Sequence, residues 1–178
     1  MKQTSCLFLA VWFLVLLLAL PALGETKADV YTIGPFTYKI PSGWITVKGD
    51  YGTLYHYARE EGDFNSGTAS TYRHEVVGTL PETEEGARFF LNHYVNNMLD
   101  VVNGESVLLN RFDIEIHGKY ATIVRIETKV YAEVFQTNNL LVISGKDILE
   151  LTYLDKVNTV DEQLKIFSDI VNSVEINE

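Results

Sequence analysis

Between Ser106 and Leu154 the chain alternates apolar and polar residues, broken only by short turn sequences, and this pattern restricts the possible folds more than any other feature. Phe112, Ile114 and Ile116 alternate with Asp113 and Glu115, while Val124, Ile126 and Val130 alternate with Arg125, Glu127 and Lys129. A period of two sends successive side chains to opposite faces of a strand, so each of these strands has one buried face. The separators His117-Gly118, Thr137-Asn138-Asn139 and Gly145-Lys146-Asp147 are short and use residues that tolerate positive φ. Connections of this length join antiparallel neighbours. The pattern predicts strands at Ser106–Ile116, Lys119–Phe135, Leu140–Ser144 and Ile148–Leu154 in one antiparallel sheet.

Upstream, Val30–Ile33 suits a small first strand, and Phe36, Tyr38 and Ile40 alternate with Thr37 and Lys39 in a second. Pro41 ends that strand because it has no N–H to donate, and Ser42-Gly43 turns the chain into Trp44, whose ring can fold back over the strand just left. Ile45–Lys48 continues as a strand, Gly49-Asp50-Tyr51-Gly52 is a turn, and Thr53–Arg59 and Thr68–Val77 form a hairpin with an acidic tip at Glu60–Gly67.

Two helices interrupt the strands. From Pro81 to Val102 the residues Ala87, Phe90, Leu91, Tyr94, Met98, Leu99 and Val102 recur at three- and four-residue spacings. Pro81 with Glu82, Glu84 and Glu85 marks the start, and Asn103-Gly104 the end. A second helix opens at Thr159-Val160-Asp161-Glu162, a capping-box spacing, and carries the stripe Leu164, Phe167, Ile170, Val171 and Val174. Strands, helix, a meander of strands and a last helix define an α+β domain, an antiparallel sheet flanked by helices. With the helices on opposite faces it is an α/β/α sandwich.

Ahead of this domain, Lys2 precedes an unbroken apolar run from Leu7 to Leu20, and Ala22-Leu23-Gly24 fits a cleavage site before Glu25. Residues 1–24 read as a secretory signal peptide, with an uncleaved anchor as the alternative, and residues 25–178 as a single domain. The run is shorter than the 20 or so residues of a membrane span. Cleavage removes Lys2 and Cys6. The remaining chain is more negative than the formal −10 of the whole and has no cysteine for disulfides, thiolate chemistry or metal ligation. An acidic surface disfavours nucleic acid and anionic headgroups. No Asn-x-Ser/Thr triplet occurs.

No convergent catalytic set, cofactor motif or metal-ligand spacing emerges. His74-Glu75 begins like a zinc-protease helix but has no second histidine four residues after His74 and falls on a strand pattern. His56 and His74, with Glu60, offer a weak divalent site only if they share a face. Pairing His56 with Thr71 separates them, and pairing it with Tyr72 unites them. Asp63-x-Asn65-x-Gly67 starts like a calcium loop, yet Thr68 stands at the glycine position and His74 at the glutamate position. Tyr51, Tyr55 and Tyr57 lie close in sequence, and Tyr55 and Tyr57 share a strand face suited either to core packing or to binding.

The element order, with Phe36-Thr37-Tyr38-Lys39-Ile40-Pro41-Ser42-Gly43-Trp44 at its start, resembles the PsbP-like superfamily. So do Gly118-Lys119-Tyr120-Ala121, the segment Lys146-Asp147-Ile148-Leu149-Glu150-Leu151-Thr152-Tyr153, and Ile170-Val171-Asn172-Ser173-Val174-Glu175-Ile176. That superfamily includes the extrinsic P subunit of photosystem II, a Ran-binding import factor and exported bacterial proteins. The resemblance implies an antiparallel sheet between helices and an accessory role in binding a protein partner. The expectation is an exported, non-enzymatic partner-binding domain of the periplasm or cell envelope, or a secreted one. The alternative is a carrier or sensor that holds a metal ion or small apolar ligand between sheet and helix, using His56, His74 or Tyr55 and Tyr57.

Overall fold

A computed structural model describes residues 28–63, 66–76, 83–101, 105–130, 132–156 and 159–177. The expected signal peptide at residues 1–24, Pro81 and Glu82 before the first helix, and Asn103-Gly104 after it lie outside the described residues. No described helix is long and apolar enough to cross a membrane.

The described elements are β1 (Ala28–Ile33), β2 (Phe36–Pro41), β3 (Ile45–Lys48), β4 (Leu54–Tyr57), β5 (Thr68–Glu75), α1 (Glu84–Val101), β6 (Glu105–Ile116), β7 (Lys119–Val130), β8 (Glu133–Ser144), β9 (Asp147–Leu154), α2 (Val160–Asn172) and β10 (Glu175–Ile176). They build two antiparallel sheets. A large one has the order β3-β4-β5-β9-β8-β7-β6, and a small one β1-β2-β10. The meander expected from the alternation is present, and the β4–β5 hairpin joins it by pairing β5 with β9.

One turn falls elsewhere than the sequence indicates. Thr137-Asn138-Asn139 sits inside β8, and the chain reverses between Val130 and Glu133. Both asparagines are buried, and the sheet satisfies Asn139. Asn139 Nδ2 donates to Thr137 Oγ1 at 3.0 Å, and its Oδ1 accepts from Thr152 Oγ1 at 2.8 Å. At His117-Gly118 the expected turn forms, with φ of 49° and 72° as a tight hairpin reversal requires.

Alternation along β8 and β9 creates two cores. Leu141, Ile143 and Ile148 pack with Ala87, Leu91 and Val95 of α1 and with Tyr120, Val124 and Ile126 of β7. Leu140, Val142, Leu149, Leu151 and Tyr153 pack on the opposite face with Phe36, Tyr38 and Ile40 of β2 and with Phe167, Ile170 and Val171 of α2. The helices thus belong to opposite faces, but on one of them the small sheet shares the layer with α2.

Both helices start on side-chain caps. Thr83 Oγ1 accepts from the Gly86 N–H, and the capping box at Thr159 and Glu162 is complete. Val95, missing from the expected α1 stripe, is buried, whereas Leu164 of α2 is exposed and Gln163 is buried. Trp44 is half-buried and stacks on Tyr153 of β9, with ring centroids 6.4 Å apart. It therefore ties the chain to the large sheet as well as to the strand it follows.

A buried polar chain also joins the two sheets. Thr46 Oγ1 donates to the Tyr31 hydroxyl at 2.6 Å and lies 2.9 Å from His56 Nδ1. On the other side His56 Nε2 lies 3.1 Å from the Tyr38 hydroxyl, which is 2.6 Å from Thr71 Oγ1. With the Thr46 proton committed to Tyr31, His56 donates from Nδ1 and accepts from Tyr38 at Nε2, and Thr71 donates to Tyr38. Each group is satisfied with a neutral imidazole.

Burial pushes His56 down to about 4 and raises the Tyr38 phenol to about 12. The unfolded chain takes up the histidine proton near pH 6.5, before the folded chain does. This contribution to stability is constant above that pH, falls by roughly 3 kcal/mol as pH drops through the window, and levels off below the folded value. Denaturant midpoints across this range should show the decline, and His56→Gln should flatten it. Trp44→Ala should lower stability by about 2 kcal/mol, as half-burial of a large ring implies, measurable as a reduced melting temperature.

Candidate functional site

Tyr55 and Tyr57 occupy alternate positions of β4, so their rings share a face and stack, with centroids 6.3 Å apart and planes 19° apart. Register extends that face across neighbouring strands. Tyr57 lies opposite Ile45 and Thr68, Tyr55 opposite Val47 and Ser70, Ser70 opposite Thr152, and Tyr72 opposite Glu150. Tyr55, Ser70, Tyr72 and Thr152 are half-buried, and Tyr57 is buried. None of the three tyrosines belongs to either core cluster, although the face they occupy continues into the α1 core at Ile148 and Leu141. Gly49 closes one end of the row, since a Cβ there would overlap the Tyr55 ring.

Where this face meets α1, three polar groups converge. His74 Nε2 lies 2.8 Å from Glu150 Oε2, Tyr94 of α1 donates to the same oxygen at 2.6 Å, and the Tyr94 hydroxyl also meets His74 Nε2. The His74 ring stands edge-on to Tyr72 at 4.2 Å and to Tyr94 at 5.1 Å between centroids. Burial pushes the Glu150 carboxyl up, but hydrogen bonds from His74 and Tyr94 and the attraction of His74 outweigh it and leave it below the ordinary carboxylate range. Burial, then the Glu150 charge, drives the Tyr94 phenol in the opposite direction, upward. Burial raises Tyr57 as well, reinforced by Tyr55 and Glu61. The face presents phenol and hydroxyl groups around the Glu150 carboxylate. Such a set can hydrogen-bond and pack against a partner, and neither Glu150 nor Tyr94 is poised to exchange a proton.

The two histidines of the hairpin are not brought together. His56 pairs with Ala69, not with Thr71 or Tyr72, and this register puts His56 and His74 on opposite faces of the sheet. His56 is committed to the buried chain between the sheets, and Glu60 is exposed beyond the end of β4. Among the described residues no three His, Cys, Asp or Glu side chains gather as a metal site would require. His74 and Glu75 are on a strand, as their pattern indicated. Of the calcium-like spacing, Asn65 lies outside the described residues; the Asp63 carbonyl accepts from Thr68 Oγ1. Tyr51 is in a turn and 92% exposed.

Sequence reasoning found Tyr55, Tyr57 and His74 but missed Ser70, Tyr72, Tyr94, Thr152 and Glu150. The available signal was Glu150 itself, a carboxylate between Leu149 and Leu151 in a strand otherwise apolar enough for burial on both faces.

No family model matches the chain, and no curated protein does. Solved structures do. Cyanobacterial PsbP (CyanoP) from Synechocystis sp. PCC 6803 superposes with a TM-score of 0.65 at 14% identity, over 87% of this chain and 95% of that one. The protein PA94 from Pseudomonas aeruginosa gives 0.60 at 14% identity, over 85% and 99%. The Saccharomyces cerevisiae Ran-binding protein Mog1p gives 0.51 at 9%, over 85% and 96%. At such identities the likeness is one of fold, and the two antiparallel sheets with their two helices have the PsbP-like fold.

Proposed function

We propose that the chain is an exported accessory domain without enzymatic activity, which binds a protein partner across the tyrosine-lined face of β3, β4 and β5. The observation that carries this reading is that Tyr55 and Tyr72, with Ser70 beside both and Thr152 next to it on β9, stay half-buried and outside both hydrophobic cores. Tyrosine supplies wide contact area with few rotatable bonds, and neighbouring hydroxyls supply adaptable hydrogen bonds, a combination typical of protein-binding surfaces. The fold is compatible with such a role, since a yeast protein that has it is named for Ran binding. Export rests on the charge and apolar pattern of residues 1–24.

A carrier that holds its ligand between sheet and helix fits less well. Leu91, Leu141 and Ile148 beneath α1, and Leu140, Leu149 and Leu151 on the α2 side, are fully buried against their neighbours. A ligand in either layer would have to displace them.

A photo-crosslinking residue placed at Tyr72 should give a discrete protein adduct in cells, and one at Leu164, exposed on α2, should not. Tyr72→Ser should weaken capture of that partner by about tenfold while leaving the melting temperature near that of the parent. Equal adducts at both positions, or substrate turnover that is lost on His74→Gln, would overturn the binding reading. The mature protein should begin at Glu25; a protein that keeps residues 1–24 in the cytosol would overturn export.

A further inference from the structure

Strand β6 closes the large sheet at the end opposite β3, with β7 on one side and no described strand on the other. Edge strands usually avoid unwanted pairing by being short, by carrying charged residues or proline, or by a bulge. The other edge of this sheet follows that rule, since β3 has four residues and ends in Lys48. In contrast β6 has twelve residues, with neither lysine nor proline. It also leaves large apolar side chains in solvent, with Val107 54%, Leu109 44% and Phe112 55% exposed. It carries charges and one bulge, but the long stretch beyond the bulge, with Phe112 exposed, is still a template for another strand.

The identity of that strand follows from β6 itself. A bulge between Leu108 and Asn110 interrupts its pairing with β7 and leaves Asn110–Ile116 regular. If a second copy of this segment is laid antiparallel about Phe112, the two Phe112 side chains face each other and Arg111 of each copy lies opposite Asp113 of the other. Centring one residue later would instead oppose two Asp113 carboxylates. Within one chain Arg111 Nε already meets Asp113 Oδ1 at 3.0 Å, so the pairing would join two existing ion pairs into a four-charge cluster. We propose that β6 is a homodimerisation strand, paired antiparallel with β6 of a second copy about a two-fold axis at Phe112.

The inference is independent of the tyrosine face, which lies at the other end of the sheet. In an antiparallel pair, residues directly opposite share a face. The two large sheets therefore become one, with both tyrosine faces on the same side.

The test uses the full chain purified from the cells that make it, carrying Cys6→Ser so that an introduced cysteine is the only thiol. Light scattering at about 100 μM, a range suited to a small interface, should give a dimer. Phe112→Asp should give a folded monomer with unchanged circular dichroism. Under mild oxidation Phe112→Cys should yield a disulfide-linked dimer far faster than Val134→Cys, a comparably exposed site on β8. A monomeric parent at that concentration, a Phe112→Asp variant that still dimerises, or equal crosslinking at both cysteines would overturn the proposal. So would a monomer that engages a different protein through β6.

Discussion

Burial on both faces of β8 and β9 is the constraint on which the remaining architecture rests. Leu140, Val142, Leu149 and Leu151 are directed to the layer of α2 and the small sheet, while Leu141, Ile143 and Ile148 are directed to α1. Each such side chain contributes roughly 1.5–3 kcal/mol when removed from water. A slip of one residue in either strand would exchange the two sets and place each against the wrong layer. Register is therefore fixed twice over, and β5 and β7 inherit it by pairing outward from these two strands. Asn139 shows how a polar group survives here, with Thr137 and Thr152 of the sheet as its partners.

How far the fold could be read from sequence follows from the same physics. Where apolar and polar residues alternate, as from Val124 to Lys129 in β7, the strand is found, although the expected Lys119–Phe135 runs past the reversal into β8. In β8 the second half is apolar on both faces, and the first half carries Thr137, Asn138 and Asn139, which resemble a turn when tertiary partners are unknown. Thr152 on β9 and Val124 on β7 supply those partners, and neither is local in sequence. The capping box at Thr159 was legible because its chemistry is confined to four residues. Leu164 misled because a helical stripe shows which side faces inward, not how far the neighbouring layer extends.

The candidate face was half legible for a similar reason. Tyr55 and Tyr57 are two residues apart, so their shared side follows from strand geometry alone. Tyr72 and Glu150 join them only through the pairings of β5 with β4 and β9, and Tyr94 only through the docking of α1. The separation of His56 from His74 turns on the parity of one hairpin register. That parity assigns one histidine to the joint between the sheets and the other to the rim of the proposed binding surface.

The small sheet carries a consequence for the order in which the molecule can assemble. Its middle strand, β2, is completed by β10, and Asn177 donates from its backbone N–H to the Pro35 carbonyl at 2.7 Å and from its side chain to Thr37 at 2.9 Å. Ser173 Oγ accepts from the Lys39 N–H at 2.8 Å. The strand made earlier is thus closed by a residue 140 positions later, and β5 likewise waits for β9. Contacts so distant along the chain form late and slowly. A polypeptide closed by contacts this distant along the chain stays open to threading until the later strand has been made.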